Sequence, residues 1–150
     1  MDLILWRHCD AASGVPDESR PLTPLGGKQA TRMARWLNER VPAGCRIIVS
    51  PALRAQQTAQ ALDRKFETVP EIGPGASVAG VLAAANWPEA REPVLVVGHQ
   101  PTLGRVASFL LAGDEMDQAM RTGAVWWFSN RVHQEPAATV LKVAIGPDFI

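Results

Sequence analysis

The sequence predicts a three-layer α/β sandwich, a mostly parallel central sheet with helices on both faces. Short apolar runs alternate along the chain with helical patterns. Those runs are continuous and rich in Val, Ile and Leu, as strands covered on both faces require. The length of 150 residues, 47% apolar and 20% charged, suits one core, so residues 1–150 are expected to form a single domain without disulfide or metal support.

Leu3-Ile4-Leu5-Trp6 is too short for a helix and reads as a buried strand that stops at Arg7-His8. From Cys9 to Leu22 the chain mixes Ser, Gly, Pro and acids without periodicity, a loop long enough to be functional. Thr23-Pro24 is an N-cap with proline at the first helical position, and Met33, Ala34 and Leu37 share one face of a helix expected to reach about Arg40. Arg46 to Val49 is a second strand. It is followed by Ser50-Pro51, read as the cap and first residue of a helix whose inner face is Ala55, Ala59, Leu62 and Phe66, with Gln56, Gln60 and Arg64 toward solvent.

Val69 to Ser77 is irregular, and a weaker helix follows from about Val78 to Asn86. Pro93 to Val97, bounded by Gly98, is the clearest strand and is expected at the sheet centre. A helix starting at Pro101 carries Leu103, Val106, Ala107, Leu110 and Leu111 on one stripe and stops at Gly113. Ala124 to Ser129 and Thr139 to Ala144 form an antiparallel pair joined by a polar turn around Asn130 to Pro136, with Trp126 and Trp127 on opposite faces and His133 exposed in the turn.

Fifteen basic and fifteen acidic side chains give zero formal net charge, so no global field draws nucleic acid or an anionic membrane, and any anion site is local. Cys9 and Cys45 fit no zinc or redox spacing, and the N-terminal segment has an acid where an export signal needs a base. A cytoplasmic protein with reduced thiols, acting as a monomer, is expected. No run approaches the roughly 18 apolar residues of a membrane span.

In open α/β sheets ligands bind beyond the carboxyl ends of the strands. There the sequence places Arg7-His8, then Ser50 with Arg54 one helical turn on, then Gly98-His99. Two guanidiniums that stay charged can clamp a phosphoryl group, and a neutral histidine whose other ring nitrogen is held can attack phosphorus. His8, beside Arg7, is the candidate nucleophile. His8, Cys9, Asp10 and His99 could instead ligate a transition metal, but Arg7 and Arg54 would repel the cation. The glycines of 73–80 and 98–104 match neither a dinucleotide fingerprint nor a P-loop.

Arg7-His8-Cys9-Asp10-Ala11 resembles the Arg-His-Gly motif of the histidine phosphatase (phosphoglycerate mutase-like) superfamily. Ser50-Pro51-Ala52-Leu53-Arg54-Ala55-Gln56-Gln57-Thr58-Ala59 and Val97-Gly98-His99-Gln100-Pro101 resemble two further segments of it, and Arg20-Pro21-Leu22-Thr23-Pro24-Leu25-Gly26 its turn into the first helix. The short chain and its Gly-His-Gln-Pro-Thr-Leu run are most similar to the SixA-type phosphohistidine phosphatases. The resemblance implies a phosphoglycerate mutase-like fold, a transient phosphohistidine on His8, and oxygens held by Arg7, Arg54 and His99 with help from Arg20. It implies no metal and no cofactor.

Cys9 stands where the family has glycine, where its side chain could crowd the phosphate or change the backbone angle after the nucleophile; beside two arginines its thiol could be oxidisable, but a buried, inert cysteine is the favoured reading. No motif marks the carboxylate that the mutases use as general acid; Asp10 and Glu71 are the candidates. Because the imidazole of phosphohistidine takes its proton from solvent and leaves readily, a site without a marked acid suits phosphohistidine on a phosphotransfer protein. The alternatives are a phosphatase of small phosphomonoesters, or a phosphoryl-binding protein whose catalysis Cys9 impairs.

Overall fold

Six strands form one sheet in the order β3-β2-β4-β1-β5-β6, in a computed structural model that describes residues 1–131 and 138–150. The strands are β1 (Asp2–Arg7), β2 (Arg46–Val49), β3 (Glu67–Thr68), β4 (Val94–Gly98), β5 (Val125–Asn130) and β6 (Thr139–Ile145). β3, β2, β4 and β1 pair in parallel, β5 runs antiparallel to β1, and β6 antiparallel to β5. The helices are α1 (Pro24–Asn38), α2 (Leu53–Gln60), α3 (Val78–Ala84) and α4 (Thr102–Ala112).

Side chains alternate between sheet faces along each strand, so a run that is apolar throughout feeds two cores. Ile4, Trp6, Ile47, Val49, Leu95 and Val97 pack with α1 and α2 through Met33, Leu37, Ala55 and Ala59. Leu3, Leu5, Ile48, Val94 and Val96 pack on the opposite face with α3 and α4 through Val81, Leu103 and Val106. Helices therefore cover both faces, and β4, buried along its whole length, is central as expected. Trp127 joins the first core and Trp126 packs against the second.

Several boundaries differ from the sequence reading, each for a local reason. α2 starts at Leu53 with Ala52 as its cap; the Ser50 hydroxyl accepts from the Ala52 amide at 3.2 Å, a turn ahead of the helix, and also meets His99. α2 ends at Gln60, so Leu62, Arg64 and Phe66 lie beyond the helix. Gln56 does not simply face solvent, since its amide donates to the Ser50 carbonyl and Thr68 hydroxyl. Arg64 turns back to donate to Asn38 and the carbonyls of Val41 and Pro42. The stretch after α2 holds the two-residue edge strand β3, too short to show a pattern, and a 3-10 turn at Pro70–Ile72. α4 begins at Thr102 after Pro101, and its Leu111 is exposed. His133 and most of the turn between β5 and β6 lie outside the described residues. Among the described residues no helix is long and apolar enough to cross a membrane.

Candidate active site

The parallel register aligns three strand ends. Arg7 lies opposite Gly98, and Val49 opposite Val97. The His8 amide donates to the Gly98 carbonyl at 3.0 Å and the Ser50 amide to the Val97 carbonyl at 3.1 Å, which extends the ladder past the strands and sets His8, Ser50 and His99 side by side. The first turn of α2 adds Arg54. Arg7, His8, Arg54 and His99 border a cavity of about 340 Å³ that also takes in Asp10, Arg20, Gln100 and Thr122.

His8 is nearly buried, and its Nδ1 lies 2.8 Å from the Cys9 carbonyl oxygen. A carbonyl only accepts, so Nδ1 carries the hydrogen and Nε2 keeps its lone pair. Burial, joined by the charges of Arg54, Arg7 and Arg20 and opposed by the bond to Cys9, brings the His8 pKa down to about 4. His99 lies next to it, ring centroids 5.2 Å apart. Burial, then His8 and Arg54, lower its pKa to about 3. Its Nε2 is 2.6 Å from the Ser50 hydroxyl. Both rings are therefore neutral near pH 7, and a nucleophilic imidazole has to be.

The cationic side is built from three arginines. Arg7 Nη1 donates to the Met120 carbonyl at 2.7 Å. Arg54, its side chain 5% exposed, donates from Nη1 to the Asp17 carbonyl and from Nη2 to the Asp17 carboxylate, at 2.9 and 3.1 Å. Arg20 donates from Nε to the other oxygen of the same carboxylate at 2.9 Å, and from Nη1 to Ala12. Asp17, a residue the sequence reading does not single out, thus ties two of the guanidiniums together, and they hold its carboxyl below the usual range. Buried polar atoms almost always find partners. Of the four buried side-chain atoms without one among the described residues, three are Arg7 Nε, Arg54 Nε and His99 Nδ1.

Cys9 does not crowd this cavity. Its side chain is fully buried in the core beneath α1 and α2, and a Cβ placed on Gly123 would sit 3.4 Å from its sulfur. Its backbone is not in the left-handed region, so nothing at this position demands glycine. Burial pushes the thiol pKa up to about 12, the opposite of an activated, oxidisable cysteine. The Cys9 amide instead donates to Thr58 Oγ1 at 3.0 Å, and Thr58 donates to the Arg54 carbonyl at 2.8 Å, linking the turn after β1 to α2.

Of the two candidate acids, the structure brings only Asp10 to the cavity. Its Oδ2 accepts from the Thr23 hydroxyl at 2.6 Å and its amide donates to Gln29. Thr23 in turn caps α1, and Gly26 is required there because a Cβ would come within 2.0 Å of the Asp10 carbonyl oxygen. Glu71 is exposed on the 3-10 turn and does not line the cavity. Among the described residues no three His, Cys, Asp or Glu side chains gather as a metal site needs.

Residues 3–76 match the model of the histidine phosphatase superfamily, branch 1. The chain is 35% identical over 124 residues to the phosphohistidine phosphatase SixA of Escherichia coli, a span covering 76% of each protein. Its fold matches that of a protein histidine phosphatase SixA complexed with tungstate, TM-score 0.79 at 29% identity over 99% of both chains. A phosphoserine phosphatase from Entamoeba histolytica shares the fold, TM-score 0.73 at 16% identity over 99% of this chain and 98% of that one.

Proposed function

The chain belongs to the histidine phosphatase superfamily, and from that premise we propose that it hydrolyses phosphohistidine on a protein by way of a phosphorylated His8. The observation that carries the reading is the His8 ring, neutral and fixed by the Cys9 carbonyl so that Nε2 holds the lone pair, in a cavity bordered by Arg7, Arg20 and Arg54. The similarity to SixA proteins supports the substrate class.

In the first step the His8 Nε2 lone pair attacks phosphorus in line. The bond from phosphorus to the substrate imidazole breaks, and its electron pair returns to that ring nitrogen while the ring's other nitrogen carries a proton taken from solvent, so a neutral imidazole leaves. Arg7 and Arg54, with Arg20 and His99, hold the phosphoryl oxygens while charge builds on them. In the second step water attacks phosphorus, the bond to His8 Nε2 breaks, and phosphate departs with His8 restored. No step calls for a divalent metal or a cofactor. Every group comes from one chain, so one domain spanning residues 1–150 suffices as a monomer, and its two free cysteines suit the cytoplasm.

Small phosphomonoesters are the second reading. Asp10 favours it, since a carboxyl group at the cavity can, when protonated, give the proton an alkoxide needs. The two are separated by kcat/KM for a phosphohistidine-bearing domain and for sugar and nucleotide phosphates, all in chelator. The protein substrate is expected to lead by more than about tenfold, or about 1.4 kcal/mol. A lead of that size for a small phosphomonoester overturns the protein-substrate reading, and activity lost in chelator but restored by a divalent metal overturns the mechanism.

A further inference from the structure

Beside the phosphoryl cavity runs a second, wider depression of about 1050 Å³, between the start of α1 and the segment that follows β6. We propose that it is the docking groove for the polypeptide that carries the phosphorylated histidine, an inference that rests on the function proposed above and assigns this surface to an apolar segment of the substrate protein.

Three observations point to that occupant. The groove and the phosphoryl cavity share a wall, Arg7 and Thr122, so a chain bonded to a phosphoryl group at Arg7 can reach the groove directly across that wall. The groove has about three times the volume of the phosphoryl cavity, room for a peptide segment's side chains rather than for one small leaving group. Its lining is largely apolar, with Leu25, Trp126, Ile145 and Phe149, of which Leu25 is 57% and Phe149 84% exposed. Large exposed apolar side chains gathered at a concave surface mark an interaction site. Apart from Arg7, the charged residues of its lining are Arg121 and Asp148, one of each sign, 3.7 Å apart. Such a groove gives little attraction to the second anionic group of a sugar bisphosphate or nucleotide. It suits the apolar flank of a helix or loop, placed by contact while the phosphoryl group is placed by charge.

The test is the double variant Leu25→Ser/Phe149→Ser, two mainly exposed positions outside the phosphoryl cavity, with unchanged melting temperature as the check on folding. Its kcat/KM is measured on a histidine phosphotransfer domain phosphorylated with phosphoramidate, and on p-nitrophenyl phosphate. The expected result is a loss of about tenfold or more on the domain, carried by KM, with the small substrate within about twofold of wild type. The conservative variant Leu25→Met/Phe149→Leu is expected to recover most of the loss. Equal losses on both substrates, or no loss on the domain while wild type turns it over, overturn the docking groove and leave the proposed function standing. A wild type that hydrolyses p-nitrophenyl phosphate and leaves the domain untouched overturns the proposed function and the groove together. Dissociation of a wild-type dimer on making the double variant assigns the groove to a second copy of this chain and overturns the inference.

Discussion

Replacing Cys9 by glycine, the residue of the family motif, is expected to weaken the fold without improving catalysis. The Cys9 side chain is fully buried beside Gly123, in the core shared by Trp6, Val125 and the inner faces of α1 and α2. Removing it forfeits a transfer free energy of about 1 kcal/mol. The cavity left behind costs about 1 kcal/mol more, since rigid surroundings close only in part. Glycine also adds freedom to the unfolded chain, a further 0.5 kcal/mol or so. The expected loss is about 2–3 kcal/mol, a fall in melting temperature of roughly 5–10 °C for a domain of this size. Turnover is expected to stay within about twofold, because the groups that border the cavity are untouched. The assay pairs thermal unfolding with steady-state hydrolysis of p-nitrophenyl phosphate. A variant that melts like wild type and turns over several-fold faster would refute the reasoning, by showing that the sulfur sits against the phosphoryl group.

Two further outcomes follow from the electrostatics. The folded pKa values of about 4 for His8 and 3 for His99 lie below the value of about 6.5 for an unfolded histidine, so from pH 6.5 down to 4 the unfolded chain binds protons that the folded chain refuses. Their contribution to stability is complete above pH 6.5 and is lost as pH falls toward 4; His8→Gln is expected to flatten that slope, and imidazole titration by NMR to show both rings neutral at pH 5. An ordinary midpoint near 6.5 for either ring would contradict the burial argument. Asp17→Asn removes the carboxylate that Arg54 and Arg20 share, and is expected to lower the inhibition constant for inorganic phosphate about three- to tenfold, less so in high salt. Weaker phosphate binding would show that Asp17 serves to orient the two guanidiniums.

The catalytic rim was the part most legible in the sequence, because a continuous apolar run such as Val94 to Val97 announces a buried strand and the residue after it must stand at the rim. That logic reached Arg7, His8, Arg54 and His99, all of which border the cavity. What escaped it depends on contacts between distant segments. Asp17 lies in an aperiodic loop, and its partner Arg54 is 37 residues away. Ser50 has the local form of a helix cap, and its hydroxyl does accept from the Ala52 amide, but it also meets His99 Nε2 on the neighbouring strand end, a contact no local pattern encodes. The harmless orientation of Cys9 depends on the space beside Gly123, which no local pattern encodes. Glu71 was a candidate only by position in the chain, and the 3-10 turn that holds it keeps it out of the cavity lining.

The most direct measurement is rapid quench in alkali, where phosphohistidine persists, during turnover of a phosphohistidine-bearing domain, followed by mass spectrometry of the peptide containing His8. The account expects a phosphoryl group on His8 that forms and decays at rates able to support turnover, and none in His8→Ala, whose hydrolysis should be slower by several orders of magnitude. Wild-type turnover with no phosphorylated enzyme at any time, or a His8→Ala variant that hydrolyses at the wild-type rate, would contradict it.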